Sequence, residues 1–190
     1  MEIKRIVVGI LQANCYLLAA GGDLAVIDPG DEAEKIIDEI DHIGATPKLI
    51  INTHAHFDHI GANSRLKEKY GVPVMAGANE KWGTGFSPDA KLFDGQIILV
   101  GGQPLRVVDT PGHTPGGICL LGPDFIFSGD TLFDGNIGRT DLDGGSNKDM
   151  AESLKKLDRM IAAGMTAYPG HGAPFAYEKG MALKLIDYLI

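Results

Sequence analysis

Three histidines and an aspartate fall within six residues, directly after an apolar run that predicts a buried strand over residues 49–53. They are His54, His56, Asp58 and His59. Side chains two apart in a strand point to opposite faces, so the chain must turn here for His54 and His56 to reach one ion. Asp58 and His59 then begin a helix, where they are available to a neighbouring ion. The segment predicts a metal site at a strand end; a plain polar run at a helix N-terminus is the alternative.

Four further residues with imidazole or carboxylate side chains follow other strand-like runs, each in a turn that contains glycine. They are Asp28, His113, Asp130 and His171. Ligands in sheet proteins gather where strands end along a common edge, and glycine lets the backbone approach them closely. Together, these histidines and aspartates provide more ligands than one tetrahedral ion needs. They suit two adjacent ions bridged by a carboxylate, and Asp130 is the residue best placed to be that bridge. Such donors accept Zn, Fe or Mn, so the sequence does not select the metal.

The remaining histidine and the two cysteines have structural interpretations. His42 lies near a predicted helix C-terminus, where the helix dipole favours a cation. Cys15 and Cys119 each stand inside an apolar run. We therefore expect both cysteines in the core, rather than at a ligand turn or in a disulfide framework.

Charge and hydropathy exclude two classes of partner. The 190 residues carry 17 Lys+Arg against 25 Asp+Glu, and the net charge of −8 argues against a nucleic-acid backbone or an anionic membrane surface. No apolar run approaches the roughly 20 residues that span a bilayer. The first apolar stretch lacks a cleavage site of small residues, so it predicts a strand and a cytoplasmic protein. We expect one domain over residues 1–190, and the sequence does not indicate the oligomeric state.

Short strand-like runs and helical periodicities alternate along the chain. Strands are predicted over residues 3–10, 13–20, 24–28, 49–53, 73–76, 97–100, 105–109, 117–121, 125–128 and 166–168, with residues 77–96 mostly loop. Four helices are predicted. The first begins at Asp31, which forms a capping box with Glu34, and ends at Gly44. The others cover residues 58–70, the segment from Ser146 or Asn147 to Gly164, and residues 177–190. Because several strands are consecutive in each half, the pattern favours two mixed sheets packed face to face with helices outside.

The ordered set of histidines and aspartates resembles the metallo-β-lactamase superfamily over nearly the whole chain. The motif His54-x-His56-x-Asp58-His59 is followed by His113, Asp130 and His171, with Asp28 upstream. The resemblance implies an α/β fold, a four-layer αββα sandwich of two mixed β-sheets with a dinuclear site along one edge. It implies that His54, His56 and His113 hold one ion, and that Asp58, His59 and His171 hold the other. Asp130 would bridge the two ions, and Asp28 would orient the loops that carry the ligands.

Residues after Asp130 narrow the resemblance. True β-lactamases of this fold place a cysteine among the second metal's ligands or lack the histidine after the motif aspartate, whereas His59 is present here. RNA-processing members carry a large extra domain or a basic arm. Residues 129–133 (Gly-Asp-Thr-Leu-Phe) and 138–141 (Gly-Arg-Thr-Asp) are similar to glyoxalase II-type thioesterases and to related persulfide dioxygenases, both of which act on glutathione derivatives. Because the sequence ends soon after His171, it resembles the short, single-domain glyoxalase II-like proteins.

The resemblance implies an enzyme of the hydroxyacylglutathione hydrolase type, which hydrolyses a thioester such as S-lactoylglutathione. Two divalent ions, expected to be Zn with Fe or Mn as alternatives, would carry a bridging hydroxide that Asp58 steers onto the thioester carbonyl. Arg139 would meet a carboxylate of a small-molecule glutathione conjugate, or form a surface salt bridge instead.

Two alternatives stay open at this point. A mononuclear non-haem iron persulfide dioxygenase acting on glutathione persulfide would need only His54 or His56 with His113 and Asp130. A metal-binding module without catalysis is the third hypothesis, and the complete set of ligand residues argues against it. Metal content and oxygen uptake distinguish the first two, because two metals per chain without oxygen uptake favour the hydrolase.

Overall fold

The first half of the chain builds one mixed sheet. In the computed structural model, which describes residues 1–81 and 87–189, its strands are β1 (Glu2–Val8), β2 (Ala13–Ala20), β3 (Asp23–Ile27), β4 (Thr46–Asn52), β5 (Val74–Gly77) and β6 (Ala90–Leu92). Neighbours in the sheet follow the order of the chain. The pairs β1–β2 and β2–β3 are antiparallel, whereas β3–β4, β4–β5 and β5–β6 are parallel.

The second half builds the second mixed sheet. Its strands are β7 (Ile97–Val100), β8 (Gln103–Asp109), β9 (Ile118–Leu121), β10 (Phe125–Gly129), β11 (Thr166–Pro169) and β12 (Phe175–Ala176). The order across this sheet is β12-β11-β10-β9-β8-β7. Only the pair β10–β11 is parallel among the described strands of this sheet.

The helices lie outside the sheets. They are α1 (Ala33–Ile43), α2 (Phe57–Ile60), α3 (Asn63–Tyr70), α4 (Asn147–Met160) and α5 (Met181–Lys184), which continues into a 3-10 turn over Leu185–Leu189. None of these described helices has the length and apolar character needed to cross a membrane.

Three apolar clusters fill the spaces between the four layers. Neighbouring residues on β2 separate two of them, because Leu18 packs in one cluster with Phe127 of the second sheet whereas Leu17 packs in another with Ile36 of α1. The residue before Phe127, Ile126, faces the opposite way into the third cluster, beneath α4. The structure therefore confirms the predicted αββα sandwich of two mixed sheets, and period-two alternation along the strands creates it.

The predicted start of the first helix is corrected by its local geometry. The predicted capping box at Asp31 is wrong, because α1 begins at Ala33 after Glu32, whose backbone is left-handed (φ 48°) and has no side-chain cap. The Asp31 carboxylate instead accepts a hydrogen bond from the Glu32 amide. The end of α1 is as predicted, with Gly44 in the left-handed region at φ 72°.

The single helix predicted over residues 58–70 is two helices, α2 and α3. The amide of Ala62 donates to the carbonyl of Pro29 at 2.9 Å. A side chain at Gly61 would clash with the carbonyl of Gly30. Close contact with the loop after β3 therefore interrupts the helix, although Gly71 ends α3 as predicted.

Smaller differences concern short or terminal elements. The strands β6 and β12 lie where the sequence pattern predicts loop, and residues 82–86 of that predicted loop lie outside the described residues. The side chain of Ser146 caps α4 by accepting from the Asp149 amide at 3.2 Å, but this helix ends at Met160 rather than at Gly164. The predicted terminal helix is shorter, from Met181 to Leu189, and residue 190 lies outside the described part of the chain.

Candidate metal centre

All the predicted metal ligands follow the C-terminal ends of strands. The loop after β4 carries His54 and His56, and α2 follows it with Asp58 and His59. The other three predicted ligands follow β8, β10 and β11 of the second sheet; they are His113, Asp130 and His171. The two sheets thus bring their ligand-bearing loops to one common edge, as the sequence predicts.

The first donor group consists of His54, His56 and His113, whose donor atoms lie within 4.8 Å of one another. Nε2 of His113 lies 2.8 Å from Nδ1 of His56. On the other side of its ring, Nδ1 of His113 lies 2.7 Å from the carbonyl of Arg139 and donates to it. This bond fixes the tautomer, so that Nε2 presents its lone pair to the centre.

The second donor group consists of Asp58, His59 and His171 and meets the same distance limit. Nε2 of His171 lies 3.3 Å from Oδ2 of Asp58 and 3.3 Å from Nε2 of His59. The outer nitrogen of His171, Nδ1, donates to the carbonyl of Leu11 at 3.2 Å. This bond turns the Nε2 atom toward the centre, where it could act as a ligand once a metal displaces its proton.

Asp130 lies between the two donor groups. One of its oxygens, Oδ2, is 3.5 Å from Nε2 of His113 and 3.6 Å from Nε2 of His171. The other oxygen, Oδ1, is 3.5 Å from Nε2 of His59. This carboxylate therefore faces histidines of both groups, whereas Asp58 faces histidines of the second group.

Asp28 holds two ligand-bearing segments in place. Its Oδ1 accepts from the Thr53 amide at 2.7 Å, and its Oδ2 accepts from the Thr53 hydroxyl at 2.7 Å. Nδ1 of His59 lies 3.2 Å from the same Oδ2 and donates to it. The Asp28 carboxylate is buried and occupied by these bonds, so its geometry suits orienting His59 rather than binding an ion.

Two buried atoms at the centre fit a metal ion. Nε2 of His54 and Oδ1 of Asp130 have no hydrogen-bond partner among the described residues. A buried polar atom left unpaired is unfavourable unless water or an ion satisfies it. Because imidazole and carboxylate donors converge around these atoms, the centre fits divalent metal.

The charge distribution of the centre also fits a cation. Burial and the neighbouring imidazoles lower the pKa of His54 well below its usual value. Burial also lowers the pKa of His59, but the surrounding carboxylates, Asp130 first among them, outweigh it and raise that pKa to about 9. The hydrogen bond to Asp58 raises the pKa of His171. A bound metal would replace such protons and neutralise the carboxylates.

Glycine is required where the ligand loops approach each other most closely. A side chain at Gly170 would clash with Oδ1 of Asp130 and crowd the ring of His59. A side chain at Gly138 would clash with the carbonyl of Asp130. Glycine in these turns therefore lets the ligand-bearing loops pack closely against each other, as the sequence predicts.

Sequence reasoning missed two residues that hold the His171 loop. The amide nitrogen of Asn14 donates to the carbonyls of Pro169 and Gly172, both at 2.8 Å. The hydroxyl of Tyr16 donates to the carbonyl of Pro169 at 2.6 Å. A polar Asn inside an otherwise apolar strand was the available signal, because a buried amide needs partners.

Arg139 contributes its backbone to the centre and its side chain to a surface ion pair. Its Nε and Nη2 donate to Oδ1 and Oδ2 of Asp141, each at 2.9 Å, and its side chain is 67 % exposed. This ion pair is the surface salt bridge expected as the alternative to substrate binding. His42 is exposed in the last turn of α1, and Cys15 and Cys119 are free and buried, in agreement with their structural interpretation.

A four-layer sandwich with histidine and aspartate loops at one edge defines a metallohydrolase-type protein. Residues 8–171 match the Metallo-beta-lactamase superfamily, and the chain belongs to that superfamily. It is 37 % identical over 191 residues to a probable metallo-hydrolase, YqgX, of Bacillus subtilis, with 90 % of each chain covered. It is 33 % identical over 195 residues to the hydroxyacylglutathione hydrolase GloC of Haemophilus influenzae, with 91 % of this chain and 92 % of GloC covered.

Solved structures with different descriptions share this fold. The BLEG-1 B3 metallo-β-lactamase has a TM-score of 0.87 at 29 % identity, with 99 % of each chain covered. ETHE1 from Myxococcus xanthus has a TM-score of 0.84 at 25 % identity, with 93 % of this chain and 80 % of ETHE1 covered. TTHA1623, in a di-iron-bound form, has a TM-score of 0.84 at 32 % identity, with 97 % of this chain and 99 % of TTHA1623 covered. A β-lactamase is therefore among the similar structures, although the sequence pattern favours a thioesterase.

Proposed function

We propose that this protein is a dinuclear metal-dependent hydrolase that cleaves thioesters such as S-lactoylglutathione. The observation that carries the proposal is the position of Asp130, whose two oxygens face histidines of both donor groups. Similarity to the hydroxyacylglutathione hydrolase of Haemophilus influenzae over nearly the whole chain supports this substrate class. The substrate would be a small-molecule glutathione conjugate.

Each donor group would hold one divalent ion, and Asp130, whose oxygens face histidines of both groups, would be a ligand shared by the two ions. We expect Zn, with Fe or Mn as alternatives, and the di-iron form of TTHA1623 supports iron as one of them. When bound, the ions lower the pKa of water and polarise the substrate carbonyl. Asp28 keeps His59 in the tautomer that this arrangement requires.

Asp58 is the residue that would orient the attacking water. Its Oδ2 lies 3.3 Å from Nε2 of His171 and 3.7 Å from Nε2 of His59. Burial raises the pKa of Asp58, but the hydrogen bond from His171 and the charge of the neighbouring His59 together outweigh burial and leave that pKa below its usual value. The carboxylate is therefore ionised at neutral pH and available to accept a hydrogen bond from water.

Departure of the leaving group and recognition of the substrate carboxylate need few residues of the chain. The pKa of a leaving thiol is about 8.5, so a thiolate departs without a general acid. Arg139 would exchange Asp141 for a carboxylate of the substrate. An exposed ion pair of this kind is screened by solvent and contributes little to stability, so the exchange has a small free-energy cost.

The test is an assay of S-lactoylglutathione cleavage on protein stripped with a chelator and reloaded with Zn, Mn or Fe(II). We expect one thiol released per thioester consumed, metal dependence, and two metals per chain. A chromogenic β-lactam serves as the competing substrate. Cleavage of the β-lactam without thioester cleavage under any metal would overturn the proposal.

A mononuclear iron persulfide dioxygenase is the second candidate, and the similarity to ETHE1 of Myxococcus xanthus favours it. It would use His113, Asp130 and either His54 or His56. Iron-loaded protein should then consume oxygen in the presence of glutathione persulfide, with one iron per chain. Oxygen uptake at that stoichiometry would replace the hydrolase proposal with this one.

A further inference from the structure

An apolar groove lies beside the second donor group. It encloses about 320 Å³ between the β1–β2 turn, the loop after β3, and α2. We name it the hairpin groove, and its lining residues are Val8, Gly9, Ile10, Leu11, Gly30, Asp31, Phe57, Asp58 and Gly61. Ile10 is 94 % exposed and Phe57 is 71 % exposed. Large apolar side chains exposed around one concavity indicate a binding surface, because covering them with an apolar ligand is favourable.

The hairpin groove begins at the metal centre. Asp58 belongs both to the groove lining and to the second donor group. The groove wall is also tied to that group, because the carbonyl of Leu11 accepts the hydrogen bond from His171. A ligand in the groove would therefore be continuous with a carbonyl group placed at the centre.

The charges around the hairpin groove select a neutral occupant. Its charged lining residues are Asp31 and Asp58; a bound metal would neutralise Asp58, which leaves the negative charge of Asp31. The ammonium group of Lys35, on the adjoining helix, already donates to the carbonyl of Val7 at 2.7 Å and lies 3.4 Å from Glu32. The carboxylates of glutathione would be repelled here, so the glutathione part must leave the centre in another direction.

We propose that the hairpin groove binds the acyl group of the substrate, and that the protein therefore prefers an apolar hydrocarbon acyl chain over a short hydroxyacyl group such as lactoyl. The inference rests on the proposed thioester hydrolysis. In that reaction the C–S bond breaks and a C–O bond to water forms. The thiolate takes up one proton of the water, and the new carboxylic acid releases the other to solvent.

Kinetics on a series of glutathione thioesters with one thiol and increasing acyl length tests the inference. From acetyl to butanoyl to hexanoyl, kcat/KM should rise by up to about fourfold per added methylene, the increase that burial of one methylene allows. Ile10→Ser and Phe57→Ser should reduce the hexanoyl-to-acetyl ratio toward one. The control variants Ile97→Ser and Phe93→Ser change exposed residues of the same two types outside the groove and should keep the wild-type ratio.

Binding of thioethers that cannot be hydrolysed separates the groove from the proposed function. By calorimetry, S-hexylglutathione should bind the metal-loaded protein at least tenfold more tightly than S-methylglutathione, and Ile10→Ser should remove most of the difference. Thioester cleavage with equal affinity for both thioethers would overturn the groove assignment alone. Tighter binding of the hexyl compound without thioester cleavage would overturn the hydrolase proposal and leave the groove assignment standing.

Discussion

The side-chain amide of Asn14 donates a hydrogen bond to the carbonyl of Pro169 at 2.8 Å, joining residues 155 positions apart in the chain. The same nitrogen donates to the carbonyl of Gly172, so one side chain of the first sheet brackets His171. We expect Asn14→Ala to weaken metal binding about 10- to 100-fold, the usual effect of losing a group that orients a ligand. Competition with a chromophoric chelator measures this affinity.

Two tyrosine variants provide the scale for the Asn14 experiment. Tyr16→Phe removes one hydrogen bond to the carbonyl of Pro169 and should have a smaller effect in the same direction. Tyr188→Phe changes an exposed hydroxyl and should have none. Equal affinities for Asn14→Ala and Tyr188→Phe would show that Asn14 does not position His171.

Substitution of Asp130 tests the bridging role. Asp130→Asn keeps the side-chain volume but removes the charge that faces both donor groups, so we expect the metal content to fall from two ions per chain to less than one. Elemental analysis after dialysis measures the content, and circular dichroism checks the fold. Asp134→Asn, at an exposed position four residues later, is the matched control and should retain both ions. A folded Asp130→Asn protein with two ions would contradict the assignment.

Substitutions of Arg139 and of Asp141 should change substrate affinity in opposite directions. Arg139→Ala should raise KM for S-lactoylglutathione about tenfold, the scale of a hydrogen bond to a charged group, with a smaller effect on kcat. Asp141→Asn frees the guanidinium from its present partner and should lower KM. Arg159→Ala, in an exposed position on α4, should leave both parameters unchanged. Equal losses for charged and uncharged thioesters would instead assign Arg139 a structural role.

The buried thiol of Cys119 should make stability fall at alkaline pH. Burial raises the pKa of this thiol to about 11, above the value of about 8.5 for an unfolded cysteine. A raised pKa contributes stability that is complete below the unfolded value and is lost as the pH rises toward the folded value. Between about pH 8.5 and 11, the free energy of unfolding should therefore decrease by up to about 1.4 kcal/mol per pH unit from this group.

Urea unfolding of wild type and Cys119→Ala across this pH range isolates the thiol from the buried tyrosines, which also titrate at high pH. The pH slope of the variant should be shallower than that of wild type. The same slope in both proteins would contradict the assignment of the effect to Cys119.

The positions of site residues that lie close together in the sequence were predictable. His54, His56 and Asp58 are close in the sequence, and the strand before them is apolar, so their placement at a strand end follows from periodicity alone. The sandwich was predictable for a related reason, because consecutive apolar runs need a second sheet to cover them.

Features that depend on distant contacts were not predictable. The break between α2 and α3 is caused by the carbonyls of Pro29 and Gly30, which lie about thirty residues away in the chain and leave no signal near Gly61. The Asn14 contacts and the hairpin groove likewise arise only when the β1–β2 turn meets loops from later in the sequence. The three-residue β6 is too short for any period-two pattern to be recognised.

Each donor group draws its side chains from both sheets. The first takes two from the loop after β4 and one from the loop after β8; the second takes two from α2 and one from the loop after β11. An ion held by either group would therefore cross-link the two halves of the chain, in the manner of a disulfide that closes a long loop. Withdrawing the metal should let the sheets part along this edge, with faster amide exchange in the ligand loops, while the hydrogen bonds inside each sheet stay protected.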